Sequence, residues 1–217
     1  MVDSVPLPKS RLEALTDGIF SVTMTLLVLN LQLPPHVLDR DASVFHVLGG
    51  MLDRLDNYVI SFVALCVFWL AHLRLLRRLR EPDQPFVWLN LAFLLLTTFV
   101  PFLTSLVGEN PTHPRAAILY GANLTAITAV EALMWRRMCL RLANETVEDA
   151  QALWRTVRKR YLIAIGVLLA AIVAALVEIR LGMSEGVAVY LYLFLLVVGA
   201  ARPMFERPRH AVVDRKA

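Results

Sequence analysis

The sequence predicts an all-α polytopic membrane protein with six transmembrane helices in each subunit, and three observations carry that expectation. Hydrophobic residues make up 58% of the 217-residue chain, above the roughly 45–50% usual for soluble domains, and mean hydropathy is +0.60. Apolar stretches of about 20 residues, the length that crosses a bilayer as a helix, recur at 12–33, 58–76, 86–107, 116–138, 161–179 and 186–201. The N-terminus, the second and fourth loops and the tail hold all of the 22 Lys and Arg except Arg40, Arg54, Arg115 and Arg180. Basic loops stay on the cytosolic side, so both termini are expected there, with residues 1–217 forming one membrane domain. The net charge of +4 then follows from topology and calls for no nucleic-acid partner.

The first span contains Asp17, Ser21, Thr23 and Thr25. A charge within a transmembrane segment costs roughly 2.5–3.5 kcal/mol on insertion scales, so Asp17 must face protein or water. At about 100° per residue, Val22, Leu26, Leu29 and Leu33 form a stripe roughly 60° wide, bordered by Thr25 at about −60° and Ser21 at about −100°. Asp17 points about 140° away from that stripe. The stretch is too long for a secretory leader and runs into Leu33-Pro34-Pro35 without a small-residue cleavage site, so it is expected to remain a helix.

The extracytoplasmic segment 34–57 is acidic, with Asp39, Asp41, Asp53 and Asp56, and its 43–55 part has helical composition. Trp69 and His72, one turn apart, lie near the cytosolic end of the second span, and Asn90 lies near the cytosolic start of the third. Antiparallel connection places Asp17, His72 and Asn90 at similar depth, predicting a hydrogen-bonded cluster joining the first three spans, with Arg11 at its edge. Pro101 is expected to kink the third span. Glu131 in the fourth lies five residues from Arg136, toward which it can snorkel. The cytosolic segment 141–160 ends in Arg155, Arg158, Lys159 and Arg160 beside Trp154, the pattern of an interfacial anchor on anionic lipid. Cys66 and Cys139 are read as packing residues.

No GxGD acid pair, HExxH or G-x-S-x-G elbow occurs, so an intramembrane enzyme is not expected. From the residues alone, a passive channel, a proton-coupled or cation secondary transporter and a non-conducting scaffold all remain open. Asp17 with His72 reads either as a structural brace or as a proton relay, and His72 leaves pH-dependent gating open.

The chain resembles prokaryotic members of the transmembrane protein 175 family. The family's first helix carries R-x-x-x-F-S-D, matched here by Arg11, Leu15, Thr16 and Asp17; its second carries W-x-x-H, present as Trp69 and His72. The third reads much like N-L-x-F-L with P-F-x-T, present as Asn90-Leu91-Ala92-Phe93-Leu94 and Pro101-Phe102-Leu103-Thr104. Leu15 replaces phenylalanine, and Thr16 replaces serine while keeping the hydroxyl. The resemblance implies a homotetramer in a bacterial plasma membrane, its first helices lining a potassium-permeable pore. It implies a constriction at Val22, Leu26 and Leu29, where Val22 stands for the family's isoleucine and opens the ring by one methylene. Arg11, Thr16, Asp17, Trp69, His72 and Asn90 are then a structural polar network, with Ser21 and Thr25 as pore-adjacent hydroxyls. The expected partners are lipid bilayer, further copies of the chain and monovalent cations; potassium is the permeant ion and no cofactor is expected. The glycine-rich carbonyl filter of ordinary potassium channels is absent, so selection would fall to helix side chains.

Overall fold

The structure, a computed structural model, describes residues 8–31, 44–110, 113–142 and 147–181, and all of the regular structure among them is helical. In chain order the helices are α1 (Lys9–Leu26), α2 (Val44–Arg78), α3 (Gln84–Thr98), α4 (Val100–Glu109), α5 (Pro114–Leu142) and α6 (Val147–Leu181), with a 3-10 turn at Leu27–Asn30 closing α1. Among the described residues, five stretches are long and apolar enough to cross a membrane: Lys9–Leu29, Leu55–Arg78, Gln84–Glu109, Pro114–Leu142 and Ala150–Leu181. The expected span at 186–201 and the acidic segment 34–43 lie outside the described residues.

α3 and α4 together make the third span, which is interrupted at Phe99. Pro101 has no N–H to give the carbonyl of Thr97, and its ring crowds the turn before it. The chain tightens there: Phe99 N–H donates to Leu96 O at 3.2 Å. The side-chain amide of Asn123 on α5 donates to the same carbonyl at 3.1 Å. A neighbouring helix thus supplies a donor where regular helical bonding breaks, which is how a proline is tolerated at membrane depth.

Two helices are longer than the spans they contain. α2 runs without a break from Val44, joining the 43–55 stretch to the second span, and α6 runs unbroken from Val147 through the basic cluster into the fifth span. No proline falls in either, and α6 has no glycine before Gly166. The basic residues 155–160 are therefore part of α6 and not of a separate helix.

One acid, Asp83, ties together the end of the bundle where α2 meets α3 and α5 ends. Asp83 caps α3 by accepting from Phe86 N–H at 3.2 Å, ahead of Pro85 in the first turn. Its carboxylate also receives Arg137 Nη2 at 2.6 Å and Nε at 3.0 Å, and Arg141 Nε lies 3.2 Å away. The second and fourth loops, both basic, thus meet at one end of the bundle, as the charge distribution requires. Burial alone would raise the Asp83 pKa, but the Arg137 hydrogen bond, the Arg141 and Arg137 charges and the Phe86 N–H together hold it below the ordinary carboxylate value. A lowered folded-state pKa means stability that is fully present above the unfolded pKa and lost as pH falls through the folded one. Asp83→Ala should cost about 1–3 kcal/mol at neutral pH. Melting curves in detergent should converge for the variant and parent as pH falls below the carboxylate range.

Core packing centres on aromatic side chains from α1 and α3. Phe20 of α1 and Phe93 of α3 meet at 5.9 Å between ring centroids, and Phe86, Leu65, Leu75, Leu94, Leu124 and Ile127 are fully enclosed around them. Nearer the opposite end, the hydroxyls of Tyr120, Ser61 and Thr104 form a chain, with Tyr120 to Ser61 at 3.0 Å, Ser61 to Thr104 at 2.7 Å and Thr104 to Val100 O at 2.8 Å. Thr104 Oγ1 donates toward both Ser61 Oγ and Val100 O, and either of Ser61 and Tyr120 can donate to the other, so the three hydroxyls join α2, α4 and α5.

Candidate functional site

α1 packs through one side only. Leu12, Thr16, Phe20, Thr23 and Leu27 are buried, each at most 2% exposed, and they recur at three- and four-residue spacing because that is one face of a helix. This face meets α2, α3 and α4. The other face is open: Val22 is 57% exposed, Leu26 43% and Leu29 65%, and Ser21, Thr25, Gly18, Asp17 and Arg11 are exposed with them. Val22, Leu26 and Leu29 are therefore not part of the protomer core; they stand outward from it along one line.

The hydroxyls beside the stripe have different roles. Thr25 Oγ1 donates to Val22 O at 2.8 Å, so its proton is already engaged and its lone pairs are what remain to offer. Ser21 lies exposed one turn earlier on the cytosolic side. Past Leu26 the helix tightens into the 3-10 turn, with Leu31 N–H donating to Val28 O at 3.0 Å. The tighter winding shifts Leu29 slightly from its α-helical register while keeping it on the open side.

The polar residues near the cytosolic ends resolve into separate contacts. Trp69 Nε1 donates to Asp17 Oδ1 at 2.9 Å, joining α2 to α1. Asn90 Nδ2 donates to Thr16 Oγ1 at 3.4 Å, joining α3 to α1. Thr16 and Asn90 are buried, while Asp17 lies at the exposed margin of α1. His72 is fully buried and stacks on Phe93 with centroids 4.6 Å apart and planes 11° from parallel; neither ring nitrogen has a hydrogen-bond partner among the described residues. Arg11 N–H donates to Pro8 O at 3.0 Å, and its side chain is exposed. Two hydrogen bonds and one stacked imidazole thus surround the N-terminal half of α1.

Glu131 does not snorkel. It is 1% exposed and hydrogen-bonded by Tyr161 of α6, with Arg74 of α2 nearby. The five-residue step to Arg136 turns about 140° around the helix, which leaves Glu131 on the buried face while Arg136 is exposed. Tyr161, placed by sequence only at the edge of a span, gave no advance sign of this pairing.

Comparison with known proteins bears on the same residues. The family model for the endosomal/lysosomal potassium channel TMEM175 matches residues 11–101, from Arg11 to Pro101. A potassium channel of Chamaesiphon minutus is 28% identical over 193 residues, covering 85% of this chain and 91% of the relative. A potassium channel of Streptomyces collinus is 30% identical over 130 residues, covering 58% and 62%. The human endosomal/lysosomal proton channel TMEM175 is 29% identical over 127 residues, which span only 24% of its length and 57% of this chain. The crystal structure of a lysosomal potassium-selective channel TMEM175 homolog from Chamaesiphon minutus superposes with a TM-score of 0.72 at 26% identity, covering 89% of this chain and 97% of that one.

Proposed function

Because the chain belongs to the TMEM175 family, we propose that it is a potassium-permeable channel of a bacterial plasma membrane, conducting passively where the first helices of a homotetramer meet. The observation that carries this reading is the contrast between two open helix faces. Along α6 the exposed side from Leu162 to Val177 is wholly apolar, as lipid requires. Along α1 the exposed side interleaves Val22, Leu26 and Leu29 with Ser21 and Thr25, and adds Asp17 at its cytosolic margin. Polar and charged groups are costly against hydrocarbon and are useful beside a water-filled conduit.

Repeated around an axis, Val22, Leu26 and Leu29 form stacked apolar rings that gate by dewetting. Ser21 and Thr25 oxygens beside them replace part of the water that a cation sheds, and Thr25, its proton already given to Val22 O, offers the polarity a cation needs. Trp69 on Asp17 and Asn90 on Thr16 brace the helix from behind. Arg11 stands at the cytosolic mouth, and the charge distribution keeps both termini in the cytosol. The names of the bacterial relatives, potassium channels both, support potassium as the permeant ion, and the family is one of ion channels and not of enzymes.

Liposomes loaded with potassium and bathed in sodium test the reading. Passive flux with a reversal potential following the potassium gradient is expected. Saturable, proton-coupled movement would make the protein a transporter, and no flux would make it a scaffold.

A further inference from the structure

We propose that the cytosolic end of α6 is a binding surface for anionic phospholipid headgroups. At about 100° per residue, Arg155, Arg158 and Lys159 fall within the same roughly 140°-wide sector as Leu162, Ile163, Leu169, Val173 and Val177. All eight are exposed, whereas Val157, Leu168, Ala171 and Ala175, on the opposite side, are buried. One stripe therefore changes from basic to apolar along an unbroken helix, and the cations cannot swing away from the surface that the apolar residues meet.

Depth supports the same occupant. With a rise of about 1.5 Å per residue, Lys159 and Arg158 lie roughly 4.5–6 Å beyond Leu162 along the helix, and Arg155 about 10 Å beyond it. A bilayer's polar zone is roughly 5–8 Å thick on each side, taking its total thickness less the hydrocarbon core. Where the leucine and isoleucine enter hydrocarbon, Arg158 and Lys159 stand within the headgroup layer, and Arg155 stands just outside it, close enough for its long side chain to reach back. A net-negative headgroup complements them; a zwitterionic one brings an ammonium that opposes the third charge. Trp154, half-buried against the core, fixes this end of the helix to the bundle. The inference rests on α6 crossing the bilayer and is independent of ion conduction.

The test is native mass spectrometry of the purified full-length protein titrated in detergent with phosphatidylglycerol or phosphatidylcholine. Retention of phosphatidylglycerol at least about fivefold above phosphatidylcholine is expected, falling toward parity in Arg155→Gln/Arg158→Gln/Lys159→Gln and in 0.5 M salt used before spraying, where screening shortens the reach of surface charge. The charge-conserving Arg155→Lys/Arg158→Lys variant should keep the preference, which guards against a general folding defect. Equal retention of the two lipids by the parent, or an undiminished preference in the triple glutamine variant, would overturn the proposal.

Discussion

Leu26→Ala and Leu29→Asn should each raise potassium flux into proteoliposomes by about tenfold or more if these side chains ring the proposed pore, because a dry constriction that loses apolar bulk or gains an amide is easier to wet. A tenfold change corresponds to about 1.4 kcal/mol of barrier, a modest demand on rings from which water is expelled. Discrimination against sodium should weaken in parallel, and Val22→Ala should act in the same direction. The protomer itself should tolerate these changes, since the three side chains are about half exposed or more and leave no internal cavity. Leu169 of α6 is a matched control: it is 47% exposed against 43% for Leu26. Leu169→Ala should leave flux at the parent level. Equal effects at Leu26 and Leu169, or none at either, would mean that α1 faces lipid as α6 does.

Asp17→Ala should lose about 1–3 kcal/mol of stability, because it removes the acceptor of the Trp69 indole N–H and leaves that donor without its partner. Asp17→Asn separates hydrogen bonding from charge, since an amide oxygen can accept the same proton. If Asp17 acts as a brace, the asparagine variant should retain most of the parent's melting temperature and flux, while the alanine variant loses both and yields less assembled protein on native gels. If instead the carboxylate relays protons, asparagine should abolish proton-linked activity with the melting temperature unchanged. Trp69→Phe should mimic Asp17→Ala in stability, and the double variant should cost little more than either alone, since both remove one bond.

Much of the bundle was legible because membranes impose strict rules on a chain. Lengths near a bilayer's thickness, basic loops on one side and a proline at position 101 located the first five spans and the break at Phe99, since each depends on local composition or backbone chemistry. The outward stripe on α1 was equally readable, because helical period alone sets which residues share a face. Periodicity could not say which face would be turned away from the protomer; that depended on Leu12, Thr16, Phe20 and Thr23 finding α2, α3 and α4.

Partner choice was the part that the linear chain withheld. Asp17, His72 and Asn90 are near one depth, yet Trp69 bonds Asp17, Asn90 bonds Thr16, and His72 stacks on Phe93. A one-residue step around a helix turns the side chain by about 100°, so shared depth does not fix which groups hydrogen-bond. The same limit hid the Arg137 clasp on Asp83 and the Tyr161 contact to Glu131, both made across helices far apart in sequence. Composition and period determined a bundle of helices long and apolar enough to cross a membrane, and a first helix with one apolar stripe. Only the packed helices decided which carboxylates are braced, which imidazole is sealed and which faces stand open, because those outcomes rest on rotation and contact between segments that no single segment encodes.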